Sequence, residues 1–368
     1  MKENGRLFTL FVLVLCATTV LANGAHEADE TKEQPEMPEK QASFETQRMK
    51  EWLRPYLDPG YVPEEGPDRD KEFIREYAPK IAEALPPELS GQPERPAEIL
   101  VITRGTYGIL HIPGAAGLLT MLREAEEKYG AFELTELYDD DVVEPGMLSE
   151  FDAVVLNNVG RAGNDAVYNQ MLPEYVRTGG GLFAVHGSAL AFHKEPETEY
   201  NRLLGAYVDT VNTKYGHPSR QGKPFPLRLP DPEHPLVSAF GGQATSLTVT
   251  HRWLSGQQRQ KYEVTIQPPE TLADELYVLI KAPGQEQNPH VLAEVDRVAA
   301  AQEYPESADD FAYALTWIKR YGQGRVYYTQ LGHNMAVYSV PCVARAMLDG
   351  LQYAAGDLAE RTGAKPGD

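Results

Sequence analysis

The sequence predicts an α/β fold built on a doubly wound, mostly parallel sheet, and two observations support this prediction. Between residues 98 and 188, short apolar runs alternate with segments of helical periodicity, which is typical of parallel sheets with right-handed connections. The apolar run after Gly179 ends at His186, in a loop that contains glycine and serine. Buried parallel strands end in this way at the carboxyl edge of a sheet, where open α/β folds bind their ligands.

The first half of the chain gives the clearest elements. Apolar runs predict four strands, at residues 99–102, 132–137, 152–157 and 179–186. Amphipathic segments predict helices between them, at residues 117–129 and 164–177. The loop after the first strand contains glycines without the GxGxxG spacing, which argues against a dinucleotide site.

The second half is less regular. Further strands are predicted at residues 226–229, 247–251, 273–279, 291–295, 313–317 and 325–328. Residues 256–270 are interpreted as an inserted excursion, and residues 321–324 as a tight turn between two strands. A terminal helix is predicted at residues 340–354, ending at Gly356.

Four regions are predicted along the chain. Residues 1–22 have the features of a signal peptide, because Lys2 and Arg6 precede an apolar run that is short for a membrane span. Residues 23–95 predict an acidic, proline-rich arm that is partly disordered, residues 96–358 the main domain, and residues 359–368 a flexible tail. We expect a periplasmic or secreted protein with no membrane span.

Helical periodicity within the arm predicts two helices, at residues 44–53 and 70–85. Candidate buried residues on their apolar faces include Leu53, Tyr77 and Ile81. We expect the arm to pack on the main domain as a helical extension. The alternative is a stalk that contacts nothing.

Charge and cysteine content narrow the function classes. The formal net charge of −20 argues against nucleic acid as a partner and favours neutral or cationic small molecules. Cys16 lies in the predicted leader, so its removal leaves Cys342 alone and excludes an intrachain disulfide. The apolar surroundings of Cys342 in the sequence predict a buried, inert thiol.

Four histidines are candidates for chemistry, because they lie just past predicted strands or in neighbouring loops: His111, His186, His217 and His333. Loops that follow parallel strands emerge on one edge of the sheet, so these residues can converge. They could supply a general base and a general acid, or they could hold a divalent metal with a carboxylate. His186 could instead cap its loop. The remaining loop histidines are treated as structural: His193, His234, His251 and His290.

An acidic pair and a tyrosine, Asp274, Glu275 and Tyr277, could join the histidines. Adjacent residues on a strand point to opposite faces, so Glu275 and Tyr277 share one face and Asp274 lies on the other. We therefore expect at most one carboxylate at any given site and a solvated position for the other. Tyr107 is a candidate platform for the ring of a carbohydrate ligand, although core packing is the commoner role of such residues.

Several motifs recur in a characteristic order. They are Gly179-Gly180-Gly181 through His186, Gly216-His217-Pro218, Asp231-Pro232-Glu233-His234-Pro235, Asp274-Glu275-Leu276-Tyr277, Trp317 through Gly324, and Leu331-Gly332-His333. With them, the chain from about residue 98 to residue 358 resembles the trehalose-utilisation, ThuA-like family. It departs from the family's pattern in the segment 243–271, which lengthens the gap before Asp274, and in its apolar, glycine-rich first loop.

The resemblance implies a flavodoxin-like fold of the class I glutamine-amidotransferase type and a role in handling sugars, with disaccharides oxidised to keto-sugars as expected substrates. True glutamine amidotransferases carry a cysteine nucleophile after the glycine-rich strand. Here the corresponding stretch is Val185-His186-Gly187-Ser188, which contains no cysteine. Thioester chemistry on glutamine is therefore excluded, and Ser188 is misplaced for a GxSxG elbow.

Three hypotheses follow. The first is an exported enzyme that acts on a glycoside or 3-keto-glycoside. In it His186, His333, His217 and Glu275 are catalytic, and His111, Tyr107, Tyr277 and Asp274 bind the substrate. The second is a non-catalytic carbohydrate-binding protein that uses the same cleft. The third is a structural partner of an exported sugar dehydrogenase, contacted through the acidic arm.

Overall fold

The structure, a computed structural model, describes residues 44–58, 69–104, 111–213, 224–241, 245–252, 259–266, 271–306, 308 and 310–358. The predicted leader and tail, and the candidate residues Tyr107 and His217, lie outside this part of the chain. Within it, no helix combines the length and the apolar character that a membrane crossing requires.

Thirteen strands are present in the described residues. They are β1 (Ala97–Ile102), β2 (Phe132–Leu137), β3 (Ala153–Asn157), β4 (Gly181–Val185), β5 (Ala206–Val208), β6 (Pro224–Arg228), β7 (Thr245–Arg252), β8 (Arg259–Ile266), β9 (Thr271–Ala273), β10 (Leu279–Lys281), β11 (His290–Val295), β12 (Ala314–Tyr321) and β13 (Gly324–Thr329).

Nine of these strands form one sheet, in the order β2-β1-β3-β4-β13-β12-β11-β6-β9. The first five are parallel to their neighbours, and the last four continue the sheet with antiparallel pairings. The predicted α/β class with a parallel sheet is confirmed for the half that ends at β13, and the whole sheet is mixed. Strands β10 and β5 form a small antiparallel pair, and β7 and β8 form another.

Seven α-helices are present in the described residues, and they cover the two faces of the sheet. They are α1 (Phe44–Leu57), α2 (Arg69–Ala84), α3 (Ile112–Tyr129), α4 (Leu172–Arg177), α5 (Glu199–Leu204), α6 (Arg297–Ala300) and α7 (Pro341–Ala355). Alternate residues of one strand enter different cores: Ile99 and Val101 pack with α1, α2, α3 and α7, whereas Leu100 and Ile102 pack with α4 and α5. This two-faced burial explains why the parallel strands are apolar almost throughout.

The arm helices belong to the first of these cores. Helices α1 and α2 match the two helices that periodicity predicts, and Leu53 and Tyr77 are each only 1% exposed. Their neighbours in the core include residues of α3, such as Leu118 and Leu122. The two helices therefore pack against α3 and do not project as an isolated stalk.

The segment 256–270, interpreted as an inserted excursion, contains β8, which pairs with β7 in an antiparallel hairpin separate from the nine-stranded sheet. Two predictions about elements were wrong. The strand predicted at 273–279 is interrupted, since β9 ends at Ala273 and β10 begins at Leu279. Helix α3 begins at Ile112, directly after His111, five residues before its predicted start, with Pro113 in its first turn, where a missing N–H costs nothing.

Candidate metal and acid–base site

His186 lies immediately after β4 with a positive φ of 42° and is fully buried. Its Nδ1 is 2.6 Å from the main-chain oxygen of Gln330. A carbonyl oxygen only accepts hydrogen bonds, so Nδ1 carries the proton and Nε2 presents its lone pair. The ring is thus held in the tautomer that a metal ligand or a general base requires.

His111 and His333 approach His186 from the two neighbouring loops. The ring centroid of His111 lies 5.1 Å from that of His186 and 5.0 Å from that of His333, and the His186–His333 separation is 5.2 Å. All three imidazoles are at most 5% exposed. His111 precedes α3 and His333 follows β13, so the predicted convergence at the carboxyl edge is present for three of the four histidines.

Glu275 faces the three imidazoles. Its Oε2 contacts His333 Nδ1 directly and lies 3.6 Å from His186 Nε2 and 3.9 Å from His111 Nε2. The carboxylate is buried. Burial lowers the pKa of His333, but the charge and hydrogen bond of Glu275, with the charge of Asp274, raise it by more, so this pKa lies above its ordinary value.

Asp274 has a different position from its neighbour. Its carboxylate accepts hydrogen bonds from the main-chain N–H groups of Gly332 (2.7 Å), His333 (3.2 Å) and Asn334 (3.2 Å), and from the Asn334 side chain (2.9 Å). The expected division of faces is therefore present. The expectation that one carboxylate is solvated was wrong, because Asp274 is 1% exposed and anchors the loop that carries His333.

Tyr277 reaches the same imidazoles as Glu275, as two residues on one face should. Its hydroxyl lies 2.9 Å from His111 Nε2 and 3.0 Å from His186 Nε2, and its ring stacks on that of His186. The side chain is 1% exposed. The phenol group thus contacts the histidines themselves.

Two residues with a positioning role were not predicted. Gln330 bonds His186 through its main chain and accepts the N–H of Tyr277 on its side chain at 2.7 Å. Asn158 has a φ of 55°, accepts the N–H of Gly187 and donates to the oxygen of Gly332, both at 3.3 Å. Both are buried polar residues at the carboxyl end of a strand, which was the signal available for them.

The four groups can hold a metal ion. One ligand atom from each of His111, His186, Glu275 and His333 can be chosen so that all lie within 4.8 Å of one another. Ligands at roughly 2.1 Å from a common ion lie about 3.0–3.4 Å apart, depending on geometry, so small side-chain shifts bring this set to coordination distance.

Ser188 and the loop histidines His193 and His290 bind partners outside this cluster. Ser188 is buried, and its hydroxyl donates to the oxygen of Leu156 at 2.9 Å. His193 Nδ1 bonds the oxygen of Leu190, and His290 pairs with Asp231 at 3.2 Å. The prediction for Cys342 is confirmed: the thiol is free and buried, and burial raises its pKa to about 12.

Comparisons with known proteins place these motifs in a family. A family model described as ThuA, trehalose utilisation, matches residues 98–354. A search of curated proteins finds no significant match. Among solved structures, a ThuA-like protein from Bacteroides uniformis has a TM-score of 0.51 at 14% identity, covering 72% of this chain and 94% of its own.

A second ThuA-like protein, from Parabacteroides merdae, is 20% identical, with a TM-score of 0.41 and coverage of 71% of this chain and 91% of its own. At these identities the structural likeness concerns the fold alone. The family model spans well over half of the sequence and includes every residue of the site described above. The chain therefore belongs to the ThuA family of trehalose utilisation.

Proposed function

We propose that this protein is a carbohydrate-processing enzyme that acts on a glycoside or 3-keto-glycoside with a divalent metal held by His111, His186, His333 and Glu275. One observation carries the proposal: four ligand-type side chains from distant parts of the chain meet in a buried cluster. The family membership supports carbohydrate as the substrate class.

The donor set fits a catalytic ion. Three histidines with a carboxylate are ligands that zinc and other transition metals accept, and a catalytic site keeps a position open for substrate. A bound ion would polarise a carbonyl or hydroxyl oxygen of the sugar. His186 meets the requirement for a preformed ligand, because Gln330 fixes its tautomer and orientation.

The chain's own residues supply the acid–base chemistry. A 3-keto group makes the hydrogen on C2 acidic, and of the two carboxylates beside the histidines only Glu275 faces the imidazoles. Glu275 would hold the ion through one carboxylate oxygen and accept the C2 proton on the other; the electron pair would form an enolate, and the C1–O bond would then break as the departing oxygen takes up a proton. His217, outside the described residues, stays a candidate for the acid.

The test is an assay on a 3-keto-disaccharide and on its parent glycoside, with analysis of the products. We expect turnover that a chelator abolishes and a stoichiometric divalent metal restores. His186→Ala should lose at least about 100-fold in rate, because loss of a metal ligand should cost more than the roughly 10–100-fold that loss of an outer-sphere partner costs. His290→Ala is the matched control, since His290 is half exposed and pairs with Asp231 outside the cluster.

Two outcomes would contradict the proposal. Full activity of His186→Ala would remove His186 from the mechanism. Tight binding of the sugar in calorimetry without any product would favour the alternative, a carbohydrate-binding protein that uses the same site.

We also propose export, on the basis of the leader-like residues 1–22. A 3-keto substrate would then come from an exported sugar dehydrogenase, which oxidises a ring hydroxyl. Cell fractionation with N-terminal sequencing of the mature protein tests export. A start near Asn23 in the periplasm or medium supports it, and a cytoplasmic protein that keeps Met1 overturns it.

A further inference from the structure

Tyr277 has no task in the reaction derived above, yet its hydroxyl contacts two of the three imidazoles in the cluster. The oxygen lies 2.9 Å from His111 Nε2 and 3.0 Å from His186 Nε2. Two ligands at right angles on an ion with bonds of roughly 2.1 Å lie about 3.0 Å apart. The tyrosine oxygen therefore has the separation from both imidazoles that a neighbouring ligand of the same ion would have.

The protonation of His186 leaves its Nε2 available to the same ion. His186 Nδ1 donates to the Gln330 oxygen, so its Nε2 offers a lone pair to the tyrosine. Without an ion this lone pair accepts the phenol O–H; a cation that displaces the proton to solvent meets lone pairs of one nitrogen and one oxygen, which together form a donor set. The phenol oxygen is held there by the protein, since Gln330 fixes the Tyr277 main chain and the ring stacks on His186.

We propose that Tyr277 is itself a ligand of the ion, bound as tyrosinate through its phenol oxygen. This inference rests on the proposed function, because it needs the metal of that site. With His111, His186, His333 and Glu275, the tyrosine makes five protein ligands. A six-coordinate ion then has one position for a substrate oxygen, so the site selects ions that accept six ligands over tetrahedral Zn²⁺.

A tyrosinate ligand has a spectroscopic signature that a hydrogen-bonding tyrosine lacks. Bound to Cu²⁺, it gives a phenolate-to-metal charge-transfer band in the visible region and tyrosinate modes in resonance Raman spectra. The probe is Cu²⁺ alone, added in one equivalent to metal-free full-length protein. We expect the band in the wild type, its loss in Tyr277→Phe with Cu²⁺ still bound, and its retention in Tyr327→Phe.

Tyr327 is a suitable control, because it is a buried tyrosine of β13 whose hydroxyl donates to the oxygen of Ala346 on α7. Competition titrations add a second readout. Loss of a ligand should weaken Co²⁺ binding in Tyr277→Phe by more than the roughly 10–100-fold that loss of an outer-sphere partner costs.

The outcomes separate the two proposals. Copper that binds in the wild type and is lost in His186→Ala, but gives no charge-transfer band, overturns tyrosine ligation and leaves the proposed metal site intact. Copper binding that is the same in the wild type and in His186→Ala overturns the metal site and the tyrosine ligand together. A band that persists in Tyr277→Phe assigns it to another tyrosine and also overturns the inference.

Discussion

Adjacent residues perform separate tasks in this site. Asp274 anchors the loop 332–334 through main-chain hydrogen bonds, whereas Glu275 faces the three imidazoles. Because each carboxylate is buried with its own set of partners, neither can replace the other. The strand-like alternation of the chain at this point makes the division possible.

Asp274→Asn should weaken both the fold and the metal site. The amide presents N–H groups to a loop that itself donates, so we expect a loss of about 3 kcal/mol in unfolding free energy and weaker metal binding, since His333 loses its anchor. Asp209→Asn is the matched control, because Asp209 is buried and accepts the N–H groups of Val211 and Asn212 in another turn. Denaturant unfolding and metal titration check both. Unchanged metal affinity in Asp274→Asn would contradict the anchoring role.

The buried amine of Lys319 should make the stability of the fold depend on pH. Burial lowers its pKa from the ordinary 10.5 to about 8, and its Nζ donates to the oxygen of Arg202 and to Gln285. Between these two pKa values the unfolded chain holds a proton that the folded chain has lost, so raising the pH favours folding. Relative to Lys319→Met, the wild type should gain up to about 3 kcal/mol from pH 7 to pH 10.5.

Urea unfolding at several pH values measures this difference. Lys80→Met is the control, because Lys80 is about half exposed. Its substitution should leave the pH dependence of the unfolding free energy as it is in the wild type. Parallel profiles for the wild type and Lys319→Met would show that Lys319 does not titrate in this range.

At the scale of elements, the site forms where loops after β1, β4 and β13 leave the same edge of the sheet. Helix α3 has to approach the loop of His333 closely, and Gly114 permits the approach. A Cβ at this position would lie 1.9 Å from the oxygen of Gly332 and 2.6 Å from that of His333. Backbone atoms cannot yield as a flexible side chain can, so the helix or the loop must move.

Gly114→Ala should therefore cost about 1–3 kcal/mol in stability, as overpacking does, and should lower metal affinity by displacing His333. Gly187→Ala is the comparison, since its Cβ would meet its nearest atom, the oxygen of Asn158, at 3.3 Å. Thermal unfolding and metal titration of both variants give the answer. Equal metal affinity in Gly114→Ala and the wild type would contradict the close-packing account.

The sequence was most informative where the structure repeats a local pattern. Strands β1 to β4 are apolar and short, and the histidines follow strands or open a helix, so their convergence could be predicted. The anchoring of His333 could not, because its partner Asp274 is 59 residues away in the sequence and no local pattern links them. Strand β8 was not predicted, although Tyr262, Val264 and Ile266 alternate with polar residues as in a half-buried strand.

At the scale of the whole molecule, the two N-terminal helices share a core with the sheet. Leu53 and Ile81 are buried with residues of α3 and α7, which also pack on β1 and β4. Loss of this packing should therefore destabilise the entire domain, including α3, the helix that begins beside His111.

Leu53→Ala should cost about 2–5 kcal/mol, the usual effect of removing a buried leucine side chain, within a single cooperative transition. Val298→Ala is the control, because Val298 is 92% exposed and its loss should stay within about 0.5 kcal/mol. A separate early transition that leaves the remaining signal unchanged would contradict the shared core.

The most direct test of the account is elemental analysis of the purified protein, with and without His111, His186 and His333. We predict about one equivalent of a divalent transition metal per wild-type chain, retained in His290→Ala and lost in each of the three alanine variants. A wild-type protein that binds no metal after incubation with Mn²⁺, Co²⁺ or Zn²⁺ would contradict the claim that these imidazoles form a coordination site, as would variants that retain the full equivalent.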